Sequence, residues 1–263
     1  MREAKHNKVK IISLILSWDN LTAKGIGSII PDYALVWNKV MYEEITENHG
    51  LNKDKIKICG IPQFDMLIDN ENYNYDSFPF LSNDNKIIYY PTGSPSWFCD
   101  NVKNISIIID IIKNKLRNNN IKLVVRPHPA YFTRDKFINE INEMKELQKL
   151  NSNIFYLNIP EFSVSSTSKE FTITDQNIHK YFMKKSNLIL TSFSTIILEA
   201  AIFDKPVINI GFDKIRKLPH YQTHSICSNL VHLNKVLSYE FSPVAKKKSE
   251  LINYIKNYLA NPK

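Results

Sequence analysis

Residues 187–200, NLILTSFSTIILEA, join an apolar run to a segment with helical apolar spacing. Four hydroxyl side chains stand within the five positions 191–195, where the run ends. The run predicts a buried strand, and the segment after it predicts a helix that begins near Ser194. In an open parallel sheet the ligand crevice lies beyond the carboxyl ends of the strands. The stretch therefore predicts an α/β fold with a polar site where this strand is followed by its helix.

The rest of the chain repeats this alternation of strand and helix. Apolar, β-branched runs predict strands at 9–16, 33–37, 56–60, 86–90, 121–125, 153–157, 187–191 and 206–211. Helical apolar spacing lies between most of them, at 38–50, 101–118, 137–150, 177–185 and 194–203. Parallel strands need a crossover connection, which is usually a helix. We therefore expect an α/β fold with a Rossmann-like, doubly wound parallel sheet.

The hydroxyl cluster at the end of the strand is suited to binding an anion. A helix that begins near Ser194 directs free backbone amides and its positive dipole end into the crevice. Ser192, Ser194 and Thr195 add hydroxyl donors. Glu199 follows one turn later, and a carboxylate repelled by phosphate suits a neutral diol such as ribose. The alternative is a serine N-cap, a threonine in the first turn and a solvent-facing glutamate.

Two further strand ends carry polar residues. The stretch VVRPHPAYF delivers Arg126 and His128 to the same edge of the sheet. Arginine suits bidentate phosphate binding, and histidine can donate to a phosphate or move a proton near neutral pH. The stretch YYPTGSPSW offers Thr92 and Gly93 where the backbone can approach a ligand closely. A lone histidine is more often structural, but an arginine beside it at a strand end favours a function.

Composition narrows the class of protein. The chain has 263 residues, of which 43% are hydrophobic and 23% charged, and this is typical of a globular protein. No apolar run has the roughly 18 to 20 residues of a membrane span, and no signal peptide is evident, so we expect a cytoplasmic protein. Cys59, Cys99 and Cys227 lie far apart and lack the spacing of a metal site, so no metal is expected.

The charge of the chain suggests an anionic partner. The formal net charge is +8 and the pI is near 9.2. The partner would be a nucleotide, a phosphorylated substrate, an anionic polymer or, through a peripheral contact, the inner membrane surface. A lysine-rich solvated surface explains the same charge. Nucleic acid is not expected, because no recognisable DNA- or RNA-binding motif accompanies the charge.

Residues 62–85 interrupt the alternation with asparagine, aspartate, proline and serine, and they predict a linker between two domains. The segment 1–61 is thin for an independent core, so we expect it to be the end of an N-terminal α/β domain. Residues 86–263 suffice for a complete Rossmann-like domain. Within them, residues 158–175 predict a polar loop, which would be an insertion or a lid.

The order of the motifs resembles a known family. IIYYPTGS, RPHP, LTSFSTIILEAAIFDKPVINI and the terminal LINYIKNYLANP occur as in the nucleotide-binding half of GT-B glycosyltransferases. They are most similar to CDP-glycerol glycerophosphotransferases and related surface-carbohydrate proteins, and more distantly to UDP-N-acetylglucosamine 2-epimerases. SWDNLTAKGIG and PDYALVWNKVMYEEITENHG resemble the segment that closes the N-terminal domain of these proteins.

The resemblance implies roles for individual residues. It makes His128 a phosphate or transition-state contact, and it places Ser194 and Thr195 at the pyrophosphate of the donor. Glu199 stands where such families have an acidic residue near the ribose. In the glycerophosphotransferases this stretch often reads T-D-Y-S-S with a later aspartate. Here Ser192 replaces the first aspartate and Glu199 replaces the later one.

The same resemblance implies chemistry without a metal, since amides, hydroxyls, Arg126 and His128 can stabilise the charge of the departing nucleotide. The acceptor hydroxyl must lose its proton to a base. The candidate base is Asp19, in SWDN, and His224, in PHYQTHS, is a second catalytic candidate. In the alternative interpretation, Asp19 caps the following turn and His224 is a polar loop residue.

Three functions are compatible with this pattern. The first is transfer of a glycosyl or glycerophosphoryl group from a nucleotide-diphosphate sugar or CDP-glycerol-type donor. Its acceptor would be a surface polysaccharide, a lipid-linked chain or a teichoic-acid-like polyol phosphate. The second is a non-catalytic remnant or subunit that binds a nucleotide sugar, and the third is a 2-epimerase-like isomerase. The thin N-terminal segment leaves three explanations open: a fragment, a remnant, or a chain completed by a partner.

Overall fold

A computed structural model describes residues 1–25, 29–68, 78, 80–82, 84–98, 100–116, 120–164, 169–212 and 227–260 of this protein. The chain folds as two compact units. One consists of Met1–Asp69 and Asn229–Ser238, and the other of Asn70–Ser228 and Tyr239–Lys263.

Strands and helices alternate along the described residues. The strands are β1 (Ile12–Leu14), β2 (Tyr33–Val36), β3 (Ile56–Ile58), β4 (Lys86–Pro91), β5 (Ile121–Arg126), β6 (Phe155–Leu157), β7 (Phe162–Val164), β8 (Lys169–Phe171), β9 (Leu188–Thr191), β10 (Val207–Ile210) and β11 (Val244–Ala245). The α-helices are α1 (Arg2–His6), α2 (Lys39–His49), α3 (Pro62–Ile68), α4 (Asn101–Asp110), α5 (Ile138–Leu150), α6 (Ile173–Lys185), α7 (Ile196–Ile202), α8 (Val231–Leu237) and α9 (Lys248–Ala260). Shorter π or 3-10 turns lie at Asn20–Lys24, Lys53–Lys55, Ile111–Leu116, Pro129–Tyr131 and Asp135–Phe137.

The first unit is built on a three-stranded parallel sheet in the order β1-β2-β3. Successive side chains of a strand point to opposite faces, and on β2 the alternate residues Ala34 and Val36 are fully buried. Helix α2 begins at Asn38, whose side chain accepts from the Met41 amide at 3.0 Å. It ends at Gly50, because the left-handed φ of 65° at this residue stops the helix at little steric cost.

The second unit is a doubly wound parallel sheet. Its six strands lie in the order β11-β10-β9-β4-β5-β6, so the strands that follow β4 lie partly on one side of it and partly on the other. The topological switch point is therefore between β4 and β9, where a ligand crevice forms beyond the carboxyl ends of the strands. Strands β9 and β10 are buried at every position. Such continuous burial is typical of parallel strands with both faces covered.

This architecture confirms the predicted α/β fold class. Each of the eight strands predicted from apolar runs is present, within a few residues of its expected ends. The helices expected between them are also present. Helix α6 begins earlier than predicted, because the Thr172 side chain caps it by accepting from the Asp175 amide at 3.0 Å. No helix among the described residues has the length and apolar character required to cross a membrane.

Three segments differ from the prediction. Within 62–85, expected to be a linker, Pro62–Ile68 forms α3, and proline at the first helical position sacrifices no hydrogen bond. Within 158–175, expected to be a polar loop, β7 and β8 form an antiparallel hairpin whose Phe162 and Phe171 rings stack with centroids 5.2 Å apart. Asn229–Ser238 groups with the first unit, whereas the sequence assigned all of 86–263 to one domain.

Candidate functional site

Polar residues from three strand ends lie at the switch point of the six-stranded sheet. Strand β4 leads to Thr92, β5 leads to His128, and β9 leads to the turn with Ser192 and Ser194. The His128 amide donates to Thr92 Oγ1 at 3.0 Å, and the Thr92 amide donates to the Arg126 carbonyl at 2.9 Å. These bonds join the ends of β4 and β5 into one edge. We call this edge, together with the turn after β9, the donor edge, after the hydrogen-bond donors that it carries.

His128 is a neutral histidine with one N–H donor. Its Nδ1 accepts from the Ala130 amide at 3.1 Å, so the proton of the neutral ring is on Nε2. Burial lowers the pKa of His128 to about 4, because desolvation disfavours the charged ring. Near neutral pH this side chain is therefore an uncharged hydrogen-bond donor and not a cation.

Arg126 is held inside the protein by an amide and an acid. It is 7% exposed, and its Nη1 donates to Asn158 Oδ1 at 2.7 Å. Its Nη2 forms an ion pair with Asp175, which is 1% exposed. The Phe171 ring centroid lies 5.6 Å from the guanidinium carbon. These contacts compensate the charge that the sequence assigned to a phosphate, so the phosphate contact of Arg126 stays a prediction.

Gly93 packs against a protein side chain. A Cβ atom at this position would lie 2.4 Å from Cδ2 of Phe98, so the ring fits only because residue 93 is glycine. The Gly93 carbonyl accepts from Asn101 Nδ2 at 2.9 Å, and Asn101 Oδ1 accepts from the Tyr90 hydroxyl at 3.1 Å. The space beside Gly93 is thus filled by Phe98, whereas the sequence analysis expected a ligand there.

Two of the four hydroxyls at positions 191–195, those of Thr191 and Ser194, are bonded within the protein. Ser194 Oγ lies 2.8 Å from Thr191 Oγ1 and accepts from the Ile196 amide at 3.3 Å. It therefore satisfies the first amide of α7, which begins at Ile196 and not near Ser194 as the sequence suggested. Ser192 is fully buried. Thr195 occupies the N-cap position, and its side chain makes no capping hydrogen bond.

Two backbone amides remain available in this turn. The amides of Ile197, Leu198 and Glu199 donate to the carbonyls of Ser194 and Thr195. Over the part of the chain that the structure describes, nothing accepts from the amides of Ser194 and Thr195 themselves. These two amides and the Thr195 hydroxyl have no acceptor among the described residues, and the Ser192 hydroxyl, which is fully buried, has no partner there either.

Phe193, between the two serines, has a left-handed backbone with φ of 47°, which is uncommon for a bulky residue. Its amide donates to Asn209 Oδ1 at 3.1 Å, and Asn209 Nδ2 donates to Ser242 Oγ at 2.5 Å. Its ring centroid lies 6.4 Å from that of Phe98. The buried amide of Asn209, on β10, thus helps to fix the turn after β9.

Glu199, on α7, is bonded to a histidine that the sequence analysis missed. Its Oε2 lies 2.7 Å from His179 Nε2, and His179 Nδ1 lies 2.8 Å from the hydroxyl of Tyr89. The Glu199 and His179 side chains are 13% and 17% exposed, and Tyr89 is fully buried. The sequence contained one indication of this histidine. Asp175 and His179 are four residues apart, so a helix places both polar side chains on the same face.

In the first unit, Asp19 lies in a polar cluster. Its carboxylate accepts from Ser17 Oγ at 2.5 Å and pairs with Lys24 Nζ at 2.7 Å. Burial opposes ionisation of Asp19, but the hydrogen bonds from Lys24 and Ser17 outweigh burial and lower its pKa. An acid with a lowered pKa is a weaker base than an ordinary carboxylate.

His232, on α8, is a neighbour of Asp19 that the sequence analysis also missed. Its Nδ1 lies 3.0 Å from Thr22 Oγ1, and its ring stands edge-on to Trp18 with centroids 5.1 Å apart. Burial lowers the pKa of His232 although Asp19 acts in the opposite direction, so the ring is mainly neutral near pH 7. His224, the other predicted histidine, lies outside the described residues.

The sequence matches the model of one protein family, and the structure is similar to solved structures of known fold. A model described as CDP-Glycerol:Poly(glycerophosphate) glycerophosphotransferase matches residues 28–263. MnaA from S. aureus, in a structure with UDP, is similar with a TM-score of 0.60 and 16% identity over 98% of this chain and 61% of that one. No curated protein matches the sequence.

Two UDP-GlcNAc 2-epimerase structures share the same fold. The enzyme from Neisseria meningitidis gives a TM-score of 0.60 and 16% identity over 98% of this chain and 63% of that one. The enzyme from Methanocaldococcus jannaschii gives a TM-score of 0.59 and 15% identity over 98% of this chain and 66% of that one. The chain thus spans less than two thirds of each structure. At these identities the likeness shows a GT-B-like fold.

His128→Asn tests the neutral histidine. Asparagine can still accept from the Ala130 amide but does not titrate. The pKa of His128 is about 4 in the folded protein and 6.5 in the unfolded chain, so the unfolded chain binds the proton first as the pH falls. The wild type should therefore lose about 1 to 2 kcal/mol of unfolding free energy between pH 7 and pH 5 through this residue. Urea unfolding at both pH values should show the loss reduced in the variant, and an equal loss in both proteins would contradict the assignment.

Asp175→Asn tests the internal ion pair. The substitution leaves the Arg126 charge buried without a counterion, which typically costs about 3 to 5 kcal/mol. The matched control is Asp135→Asn at an exposed position, where the change should stay within about 0.5 kcal/mol. Denaturant unfolding of both variants measures the difference. Equal stability of the two would mean that Arg126 does not depend on Asp175.

Proposed function

Because this chain belongs to the CDP-glycerol:poly(glycerophosphate) glycerophosphotransferase family, we propose that it binds a nucleotide-activated donor and transfers a glycerophosphoryl or glycosyl group to an acceptor hydroxyl. The donor edge of the six-stranded sheet is the proposed binding site. The observation that carries the proposal is the set of uncharged N–H and O–H donors at this edge, next to the topological switch point.

The phosphates of the donor are proposed to meet His128 and the turn after β9. The His128 ring supplies Nε2–H, and the amides of Ser194 and Thr195 supply two more donors. The Thr195 hydroxyl is a fourth. Preorganised donors of this kind stabilise charge that develops on a departing nucleotide, since they need no reorganisation during the reaction.

The ribose is proposed to lie beside Glu199. One carboxylate oxygen is bonded to His179, and within the described ranges no group donates to the other. A carboxylate accepts strongly from the hydroxyls of a diol, and charge-assisted bonds of this kind are about twice as strong as neutral ones. A carboxylate near the phosphates would also repel them, so a position one turn along α7 from the phosphate donors suits the neutral sugar.

The acceptor is proposed to be an anionic surface polymer of the polyol-phosphate type, because the net charge of +8 favours an anionic partner. A general base works best with a pKa near the operating pH. Within the first unit, His232, whose pKa burial lowers, meets this requirement better than Asp19, whose pKa is also lowered and lies well below neutral pH.

Binding is proposed to need no divalent metal, because the proposed phosphate contacts are N–H and O–H hydrogen-bond donors and not carboxylates. Mg²⁺ in phosphate sites is held by carboxylates together with substrate oxygens. In the described parts of the chain no three histidine, cysteine, aspartate or glutamate side chains form such a cluster.

A ligand panel tests the proposal. Thermal unfolding is followed with CDP-glycerol, CMP, UDP-GlcNAc and the corresponding GDP and ADP compounds, each with EDTA and with Mg²⁺. A ligand that binds only the folded state raises the melting temperature, so at least one of these should do so with EDTA present. The positive ligand is then incubated with a polyol-phosphate acceptor and the released nucleotide is measured. Conversion of UDP-GlcNAc without acceptor would instead indicate an isomerase, and binding without turnover would indicate a binding subunit.

Thr195→Val and Ser194→Ala separate ligand binding from stabilisation of α7. Thr195→Val removes a hydroxyl that caps nothing, so it should weaken binding of nucleotides and spare nucleosides. Ser194→Ala removes the acceptor of the Ile196 amide and should lower the unfolding free energy by about 0.5 to 1.5 kcal/mol. Calorimetric affinities and melting temperatures of both variants check this. Equal losses for nucleosides and nucleotides in Thr195→Val would contradict the phosphate contact.

A further inference from the structure

We infer that His179 is the residue that positions Glu199 for the ribose of the donor, and this inference rests on the proposed donor site. His179 stands between two groups of the second unit. Its Nε2 lies 2.7 Å from Glu199 Oε2, and its Nδ1 lies 2.8 Å from the Tyr89 hydroxyl. Both ring nitrogens are therefore engaged, and the plane of the ring is fixed from both sides.

The Tyr89 phenol keeps the bond to Glu199 in place whichever form His179 takes. Burial raises the pKa of Tyr89, so the phenol retains its proton. It donates to Nδ1 of a neutral ring or accepts from Nδ1–H of a charged ring. In both cases Nε2 carries a proton and donates a hydrogen bond to the Glu199 carboxylate. Tyr89 can therefore bond either form of the ring, because a phenol hydroxyl both donates and accepts hydrogen bonds.

The bond from His179 leaves one oxygen of Glu199 for a ligand. Oε2 is occupied, and the residues that the structure describes provide no partner for Oε1. The Glu199 side chain is 13% exposed, so a small part of it is accessible to a ligand. A glutamate has three side-chain torsions, and ordering it on binding costs free energy. His179 removes that cost before the ligand arrives, as partners of ligand-binding side chains do in other sites.

Helix α6 is bonded to the rest of the second unit one turn before His179. Asp175 lies one turn earlier on the same helix, pairs with Arg126, and accepts from the Glu161 amide through Oδ1 at 2.9 Å. The Thr172 side chain caps the helix by accepting from the Asp175 amide. Since Arg126 ends β5, these bonds fix α6 to the sheet, and His179 is held in register with Glu199.

The experiment compares ribonucleotides with their deoxy analogues. The probes are CDP and UDP, each with its 2′-deoxy and 3′-deoxy analogue, and calorimetry gives the ratio of the deoxy to the ribo dissociation constant. One charge-assisted hydrogen bond corresponds to a ratio of about 10 to 150 in the wild type. His179→Leu should lower this ratio about tenfold, toward the value of about 1 expected for Glu199→Ala.

Conservative variants separate positioning from packing. In His179→Gln the side-chain amide takes the place of Nε2–H and should keep the ratio within about threefold of wild type. His179→Asn takes the place of Nδ1, cannot reach Glu199, and should lose the ratio. The double variant His179→Leu/Glu199→Ala should discriminate no less than Glu199→Ala alone, because the two side chains act through one interaction.

The outcomes are distinguishable. A wild-type ratio in His179→Leu, or an equal loss in the Gln and Asn variants, would overturn the role of His179 and leave the donor site standing. A wild-type ratio near 1 would overturn the ribose contact of Glu199 and this inference with it. Absence of nucleotide binding by the wild type would overturn the proposed function itself. If His179→Leu does not fold, the Gln and Asn pair decides the question.

Discussion

The ion pair between Arg126 and Asp175 is the contact on which the donor edge depends. Moving two such ions out of water costs several kcal/mol for each, and their attraction offsets this cost only if the remaining hydrogen-bonding positions are also filled. Asn158 and the Glu161 amide fill two of them. Because the pair joins the end of β5 to α6, the strand before His128 and the helix that carries His179 cannot shift independently.

With Arg126 compensated internally, the donor edge presents neutral groups. The amides in the turn after β9 and the uncharged ring of His128 carry partial charges only. Attraction between full charges at a protein surface is screened by salt over about 10 Å at 0.1 M. Short hydrogen bonds from neutral donors depend much less on salt. Hydrogen-bond geometry therefore matters more than net charge at such an edge.

The sequence predicted the strands because buried parallel strands are continuous apolar runs, and it located Thr92 and His128 because carboxyl ends of such strands share one edge. The partners of these residues were not predictable in the same way. Asp175 is 49 residues from Arg126, and His179 is 20 residues from Glu199, so only the tertiary fold brings each pair together. Likewise, no local pattern indicates which unit Asn229–Ser238 packs against. The spacing of apolar residues shows which face of a helix or strand is buried, but not which other element packs against that face.

The left-handed residue between the two serines limits how this turn can be redesigned. A non-glycine residue in this region of backbone space carries about 1 to 2 kcal/mol of steric cost, which glycine would relieve. Glycine at 193 would also remove the ring that faces Phe98 and would free the angle between β9 and α7. Loss of this buried ring would cost about 3 to 5 kcal/mol, more than the strain that glycine relieves, so the turn would be both less stable and less well defined. Substitutions that alter this turn are therefore better made at side chains around Phe193 than at Phe193 itself.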